Sequence, residues 1–208
     1  VFLNHSDAET PPQMARVFRS FWLVALCAVL FLACFSDEIV AIVLSSDYAG
    51  SGRYIPFMAL SIILSGSFIF APGIFIARKM VIVASINLIF AALTLSINFI
   101  VIPHLGMIGA STVSVTMAFL LFSTFVVFNQ KYYPIPFDWF RLSLAAGVFL
   151  LACCVLALGN VWAGFDWPWK VAVFAIAAAL LVRVLLTRDE AGGLYEHLRR
   201  RFWLIVHR

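Results

Sequence analysis

Two asparagines interrupt an apolar stretch of this sequence and are the side chains best placed to bind a polar ligand. Asn87 and Asn98 both lie in the run Val81–Ile102, eleven residues apart. That spacing is about three turns of an α-helix and brings both side chains to nearly the same face. Ser85 and Ser96 repeat the spacing beside them. Such a polar stripe has two interpretations: hydrogen bonds between neighbouring helices in a membrane, or the wall of a water-filled cavity that holds a substrate.

Two further residues are candidates for the same cavity. Ser65 lies between Ser61 and Ser67, in a run that also contains Pro56, and these residues predict a helix that packs closely or bends. Arg53 precedes this run. Its guanidinium either attracts an anionic headgroup or extends toward the membrane surface.

The sequence contains no catalytic or metal-binding pattern. The histidines, at positions 5, 104, 197 and 207, are scattered without the spacing of metal ligands. No GxSxG, HExxH or glycine-rich phosphate loop occurs. The four cysteines lie inside apolar runs, where cysteine behaves as a small hydrophobic residue. We therefore expect no enzymatic activity, no catalytic residues, no metal and no cofactor.

The composition predicts an all-α integral membrane protein. Of the 208 residues, 64% are hydrophobic and only 12% are charged, whereas a soluble domain is about half apolar and a quarter charged. No signature of nucleic-acid binding is present. Six apolar runs approach or exceed the roughly 20 residues that a helix needs to cross a hydrocarbon core of about 30 Å, and they are continuous rather than alternating, which favours helices over barrel strands. These runs are Val17–Phe35, Ile55–Ala77, Val81–Ile102, Met107–Phe128, Trp139–Leu158 and Trp167–Leu186.

The segment Ile97–Ser114 predicts a helical hairpin between the third and fourth runs. Pro103 is expected to end the first helix, because proline lacks the N–H of a continuing helix. The turn would then be made by residues 104–106, ending at Gly106. After it, Gly109 and Ala110 place small side chains where two helix backbones can approach closely.

Charge predicts the orientation in the membrane. With six spans, 12 of the 14 basic residues fall on one side, so the positive-inside rule places both ends of the chain in the cytoplasm. The tail 188–208 has apolar residues at helical spacing interrupted by arginines, which favours an amphipathic helix on the membrane surface over a solvated basic tail. After the first run, the stretch 36–44 either continues the helix past Asp37 and Glu38 or forms a short surface helix, and we favour the surface helix.

The order of these features resembles a known transporter family. Asp47-Tyr48-Ala49-Gly50 precedes the proline-containing span, and Arg78-Lys79 forms a basic turn. The hairpin then reads Asn98, Ile102-Pro103, Gly106 and Gly109-Ala110, and a Lys-Tyr-Tyr-Pro loop follows it. Together these features resemble the polysaccharide (O-antigen-type) flippases of the MATE-like multidrug/oligosaccharidyl-lipid/polysaccharide exporter superfamily. Ser111 and Thr112 replace the alanine and threonine that commonly follow this motif.

The resemblance implies a two-bundle transporter that moves an undecaprenyl-diphosphate-linked oligosaccharide across the bacterial cytoplasmic (inner) membrane by alternating access. It also implies membrane lipids and polysaccharide polymerases or glycosyltransferases as partners. This chain would be the C-terminal part of a longer protein. It would begin with a cytoplasmic segment (residues 1–16), followed by four transmembrane helices of the second bundle (17–128). Two additional transmembrane helices (129–187) and a cytoplasmic amphipathic tail (188–208) would complete it.

Two alternatives remain open at this point. A drug/cation antiporter of the same superfamily would need a protonatable carboxylate inside the bundle, and the six runs contain none apart from Asp37 and Glu38 at an edge. A non-transporting membrane scaffold, or an enzyme subunit with its active site elsewhere, would share the composition.

Overall fold

All regular elements that the structure describes are helices. The structure, a computed structural model, describes residues 10–43, 48, 50–70, 74, 78–132, 138–162 and 167–185. Short 3₁₀ turns at Gly52–Tyr54 and Ser67–Phe70 flank the second helix. The all-α prediction is confirmed. The helices are α1 (Thr10–Val43), α2 (Ile55–Gly66), α3 (Met80–Tyr132), α4 (Trp139–Trp162) and α5 (Trp167–Leu185).

Five helical segments of the described chain are long and apolar enough to cross a membrane. Their surfaces carry large apolar side chains such as Leu88 and Phe99, which are 73% and 84% exposed. Such side chains suit contact with lipid rather than water. The segments are Met14–Val43, Gly52–Phe70, Met80–Tyr132, Trp139–Leu156 and Pro168–Leu185. This is the architecture of a multi-pass membrane protein.

Helix α3 folds back on itself at Gly106, the one residue inside it with non-helical backbone angles (φ 57°, ψ −140°). Its two ends meet, because Lys79 Nζ donates a hydrogen bond to Tyr132 Oη at 3.3 Å. Farther along, Ile86 and Phe125 belong to one buried cluster. Residues 80–105 (the first arm) and 107–132 (the second arm) are therefore antiparallel, and the predicted hairpin is present.

The prediction that Pro103 ends the first helix is wrong. The helix continues through Pro103 to Leu105, and the chain reverses at Gly106. A proline has a φ angle that a helix accepts, and near the end of the arm it removes a single backbone hydrogen bond. The reversal instead uses a positive φ, which glycine adopts without steric cost.

Gly109 allows the two arms to meet closely just after the reversal. A Cβ atom at Gly109 would lie 2.6 Å from Val101 Cγ1 and 2.8 Å from the Cβ of Leu105. Both distances are shorter than van der Waals contact. Ala110, the other small residue of the motif, follows Gly109 in the second arm. The expectation of small residues at a close helix contact therefore holds at Gly109.

The surface helix that we favoured after the first run is also wrong. Helix α1 starts at Thr10 and continues without interruption past Asp37 and Glu38 to Val43. With 34 residues at 1.5 Å each it is about 51 Å long. That exceeds the hydrocarbon core of about 30 Å, so carboxylates near its end need not enter lipid. The predicted tail 188–208 and residues 1–9 lie outside the described residues.

Several predicted boundaries also shift. Helix α2 ends at Gly66 and becomes a 3₁₀ turn over Ser67–Phe70, so the predicted run Ile55–Ala77 is not one uniform helix. The second arm extends past Phe128 to Tyr132, and α4 extends past Leu158 to Trp162.

The chain divides into two compact units. Unit 1 contains the described residues within 1–18 and 28–137. Aromatic pairs connect its elements: the ring centroids are 6.3 Å apart for Phe18 and Phe122 and 5.8 Å apart for Phe68 and Phe125. Unit 2 contains the described residues within 19–27 and 138–185, where α4 packs along α5. Within it, Arg19 donates a hydrogen bond to the Asp138 carboxylate.

Replacing Gly106 should test the reversal directly. We expect Gly106→Ala to lower the free energy of unfolding by about 1–3 kcal/mol, because an L side chain is strained in this backbone conformation. Gly147→Ala in α4 is the matched control. A Cβ meets no atom within 4 Å at either position, but only Gly106 has a positive φ. Thermal unfolding of the detergent-solubilised chain gives the comparison, and equal melting temperatures would contradict the assigned turn.

Candidate functional site

A groove in unit 1 lies between α2 and the two arms of α3. Its volume is about 520 Å³. Half of its twelve lining residues are polar and the others are apolar or aromatic, including Phe90, Met117 and Leu121. None of the lining residues is charged. The polar lining residues are Ser61, Ser65, Asn87, Thr94, Asn98 and Ser114.

The groove lies near the middle of the hairpin. Asn87 follows Met80, where the first arm begins, by seven residues, and Asn98 precedes Gly106 by eight. At 1.5 Å per residue the two asparagines are about 16 Å apart along the helix, and each is about 10–12 Å from the nearer end of the arm. For a hairpin long enough to cross the hydrocarbon core, this places a polar surface close to the membrane midplane.

Three of the four hydroxyl groups of the groove donate their hydrogen to a backbone carbonyl of their own helix. Thr94 Oγ1 donates to the Phe90 carbonyl at 2.7 Å, and Ser114 Oγ donates to Ala110 O at 2.8 Å. Ser61 Oγ donates to Met58 O at 2.8 Å. Such bonds to the preceding turn allow serine and threonine to reside in apolar surroundings without a partner on another helix.

The two asparagines differ in their hydrogen bonding. Asn87 Nδ2 donates to the Val83 carbonyl at 2.9 Å, again within the same helix. Asn98 Oδ1 is buried and has no hydrogen-bond partner among the described residues. Within the part of the chain that the structure describes, neither side chain bonds to a neighbouring helix, so the interpretation as hydrogen bonds between helices is not what this structure shows.

Three of the four predicted cavity residues lie together. Asn87, Asn98 and Ser65 line the groove, and Arg53 does not. Arg53 Nε donates to the Gly50 carbonyl at 3.0 Å, and its guanidinium carbon lies 5.4 Å from the centroid of the Tyr54 ring. The arginine therefore stabilises the turn before α2 rather than contributing charge to the groove.

Sequence reasoning missed Thr94 and Ser114 as lining residues. Thr94 follows Asn87 by seven residues and precedes Asn98 by four, which are both helical repeats of one face. The signal was therefore present in the stripe. Ser96, which the sequence had paired with the stripe, bonds to Ala92 O and is not among the lining residues.

Unit 2 has a groove of a different character between α4 and α5. Its volume is about 280 Å³, and its lining is entirely apolar, with the single aromatic residue Trp169. No polar side chain lines it. Of these two grooves, the polar groove of unit 1 is the one that can recognise a hydrophilic ligand.

Comparisons with known protein families, with curated proteins and with solved structures find no match to this chain. Among the described residues, no group of three or more histidine, cysteine, aspartate or glutamate side chains could hold a metal ion. The chemistry available in the groove is therefore hydrogen bonding by neutral groups together with apolar contact.

Removing the unpartnered amide should stabilise the protein. We expect Asn98→Leu to raise the free energy of unfolding by about 1–3 kcal/mol, because a buried acceptor without a partner loses its hydration and gains no bond. Asn87→Leu is the control, since the exposed Asn87 amide has a partner, and we expect a change within about 0.5 kcal/mol. Thermal unfolding in detergent measures both, and a destabilised Asn98→Leu variant would refute this assignment.

Proposed function

We propose that this chain belongs to a transporter that moves a lipid-linked oligosaccharide across a membrane by alternating access. The observation that carries the proposal is the uncharged polar groove halfway along an apolar helical hairpin. Polar side chains at this depth are costly and are retained where they serve a pathway or a binding site. A groove of about 520 Å³ has the size of sites that hold small molecules or parts of larger ones.

The chemistry of the groove suits a sugar headgroup. Sugar hydroxyls cannot enter hydrocarbon without losing their hydrogen bonds to water, at a cost of several kcal/mol each in a fully apolar medium. Asn87, Thr94 and Ser114 offer replacement bonds from two arms of one hairpin. Phe90, on the same surface, offers an apolar face on which a sugar ring can pack. No covalent step is needed, which is consistent with a protein that is not an enzyme.

The family resemblance gives the proposal its finer detail. We propose a flippase of the MATE-like superfamily whose substrate is linked to undecaprenyl diphosphate, acting in a bacterial inner membrane beside polysaccharide polymerases or glycosyltransferases. We also propose six membrane spans, because the two arms of α3 are each 26 residues long and each long enough to cross. An even number of spans would keep both ends on the cytoplasmic side, as the distribution of basic residues predicts.

The proposal is tested by asking which leaflet holds the substrate. In cells that lack the gene, lipid-linked oligosaccharide should accumulate on the cytoplasmic side, and re-expression should relieve the accumulation. Complementation by a Thr94→Val, Asn98→Leu double variant should be reduced at least severalfold, because it removes polar groups from the groove. Thr116→Val is the matched control: Thr116 also bonds to the preceding turn, at 2.9 Å, but does not line the groove.

The result that would contradict the proposal is normal surface polysaccharide in the deleted strain. If that strain also became sensitive to cationic drugs, it would indicate the antiporter. Among the residues that line the groove there is no carboxylate to carry a proton, and this weighs against that second function.

A further inference from the structure

The polar groups of the groove differ in what they can still offer a ligand. Thr94, Ser114 and Ser61 have each committed their hydroxyl hydrogen to a backbone carbonyl of the preceding turn. A hydroxyl has one hydrogen and two lone pairs. These three side chains can therefore only accept hydrogen bonds from a ligand.

The asparagines reinforce this excess of acceptors. Asn98 Oδ1 is a buried acceptor with no partner among the described residues. Asn87 has already used one amide hydrogen on Val83 O, so its carbonyl oxygen and one hydrogen remain. The donors of the groove are fewer than its acceptors: one hydrogen of Asn87, the amide NH2 of Asn98 and the hydroxyl of Ser65. The groove therefore suits a neutral ligand whose own groups bring several hydrogen-bond donors as well as acceptors.

A phosphate group has the opposite requirements. Ionised phosphate is rich in acceptors, and proteins bind it through arginine, lysine or clustered N–H groups. No lining residue of the groove is charged, and Arg53, which lies outside it, is held on the Gly50 carbonyl. Moving an anion into this surface would place its charge against three hydroxyl oxygens whose hydrogens point away, with only neutral donors to oppose it.

We infer that the groove binds the neutral, hydroxyl-bearing part of the substrate through donors that the substrate supplies, and that the diphosphate of the substrate lies outside it. This inference rests on the proposed function for the identity of the substrate. The geometry itself assigns the ligand class, a neutral polyol such as a glycoside, to the surface formed by Thr94, Asn98 and Ser114. Selectivity would then depend on the number and position of sugar hydroxyls.

The test uses the full chain in phosphatidylcholine nanodiscs and two amphiphiles of equal chain length, n-octyl maltoside and n-octyl phosphate. Calorimetric titration, with empty nanodiscs as the baseline, gives both affinities. Thr94→Val removes one acceptor and keeps the side-chain shape, so maltoside binding should weaken about three- to tenfold, the usual effect of one neutral hydrogen bond. Binding of octyl phosphate should not change.

Thr116→Val controls for the loss of a self-bonded threonine outside the groove and should leave both affinities unchanged. Asn98→Leu provides a second variant if Thr94→Val is poorly folded, and it should also weaken maltoside binding. The inference is overturned if both groove variants bind maltoside as the parent does, or if they weaken phosphate binding to the same extent as maltoside binding.

The outcome is separable from that of the transport proposal. Two results together would support the polyol site and refute the flippase: maltoside binding depends on Thr94, and deletion of the gene leaves lipid-linked oligosaccharide on its normal leaflet. A flippase whose groove variants lose phosphate binding and maltoside binding equally would refute the polyol site and retain transport.

Discussion

The hairpin depends on a backbone that reverses at a single residue. In a membrane every N–H and C=O must be satisfied within the segment or by a close neighbour, so a long irregular loop is unfavourable near the hydrocarbon. Gly106 reverses α3 with one positive φ, and both arms remain helical up to the turn. Because the turn is so short, the relative position of the two arms is fixed. Two contacts show how the arms are aligned. Gly109 packs on Val101 near the turn, and Lys79 bonds to Tyr132 at the open end of the hairpin.

That alignment creates the groove. It brings Asn87, Thr94 and Asn98 of the first arm onto a surface shared with Ser114 of the second, and α2 adds Ser61 and Ser65. The hydroxyl groups of Thr94, Ser114 and Ser61 tolerate this apolar environment because their hydrogens bond to the preceding turn of the same helix. The Asn98 carbonyl oxygen has no such arrangement. A buried acceptor that the fold leaves unpaired is a cost to stability that a bound ligand would offset.

The helical period alone predicted that Asn87 and Asn98 share one helix face, whereas the ends of several helices were predicted wrongly. The spacing of Asn87 and Asn98 needs only the helical period, and the structure places both on one groove. Thr94 lies on the same stripe and could have been included. Ser114 also lines the groove, but predicting this would have required the alignment of the second arm with the first. No local sequence pattern specifies that alignment.

The errors have a common physical origin. Pro103 was expected to end its helix because proline is a helix breaker, but at the last turn its missing hydrogen bond costs little. Asp37 and Glu38 were expected to end the membrane helix because they are charged, but helix α1 is long enough to carry them beyond the hydrocarbon. Arg53, a cavity candidate that could equally have extended toward the membrane surface, bonds to the turn that precedes α2. In each case the outcome depended on tertiary position rather than on residue type.

The proposed function depends on a hydrophilic groove inside the membrane, between α2 and the two arms of α3. Thiol labelling tests it most directly, in a chain whose four native cysteines are replaced by alanine. A charged, membrane-impermeant maleimide should label Thr94→Cys and Ser114→Cys, because water reaches the groove. It should not label Leu88→Cys, which is on the first arm, highly exposed and outside the groove. Equal protection of all three positions would mean that the hairpin is sealed in lipid or protein, and the account of a substrate groove would be wrong.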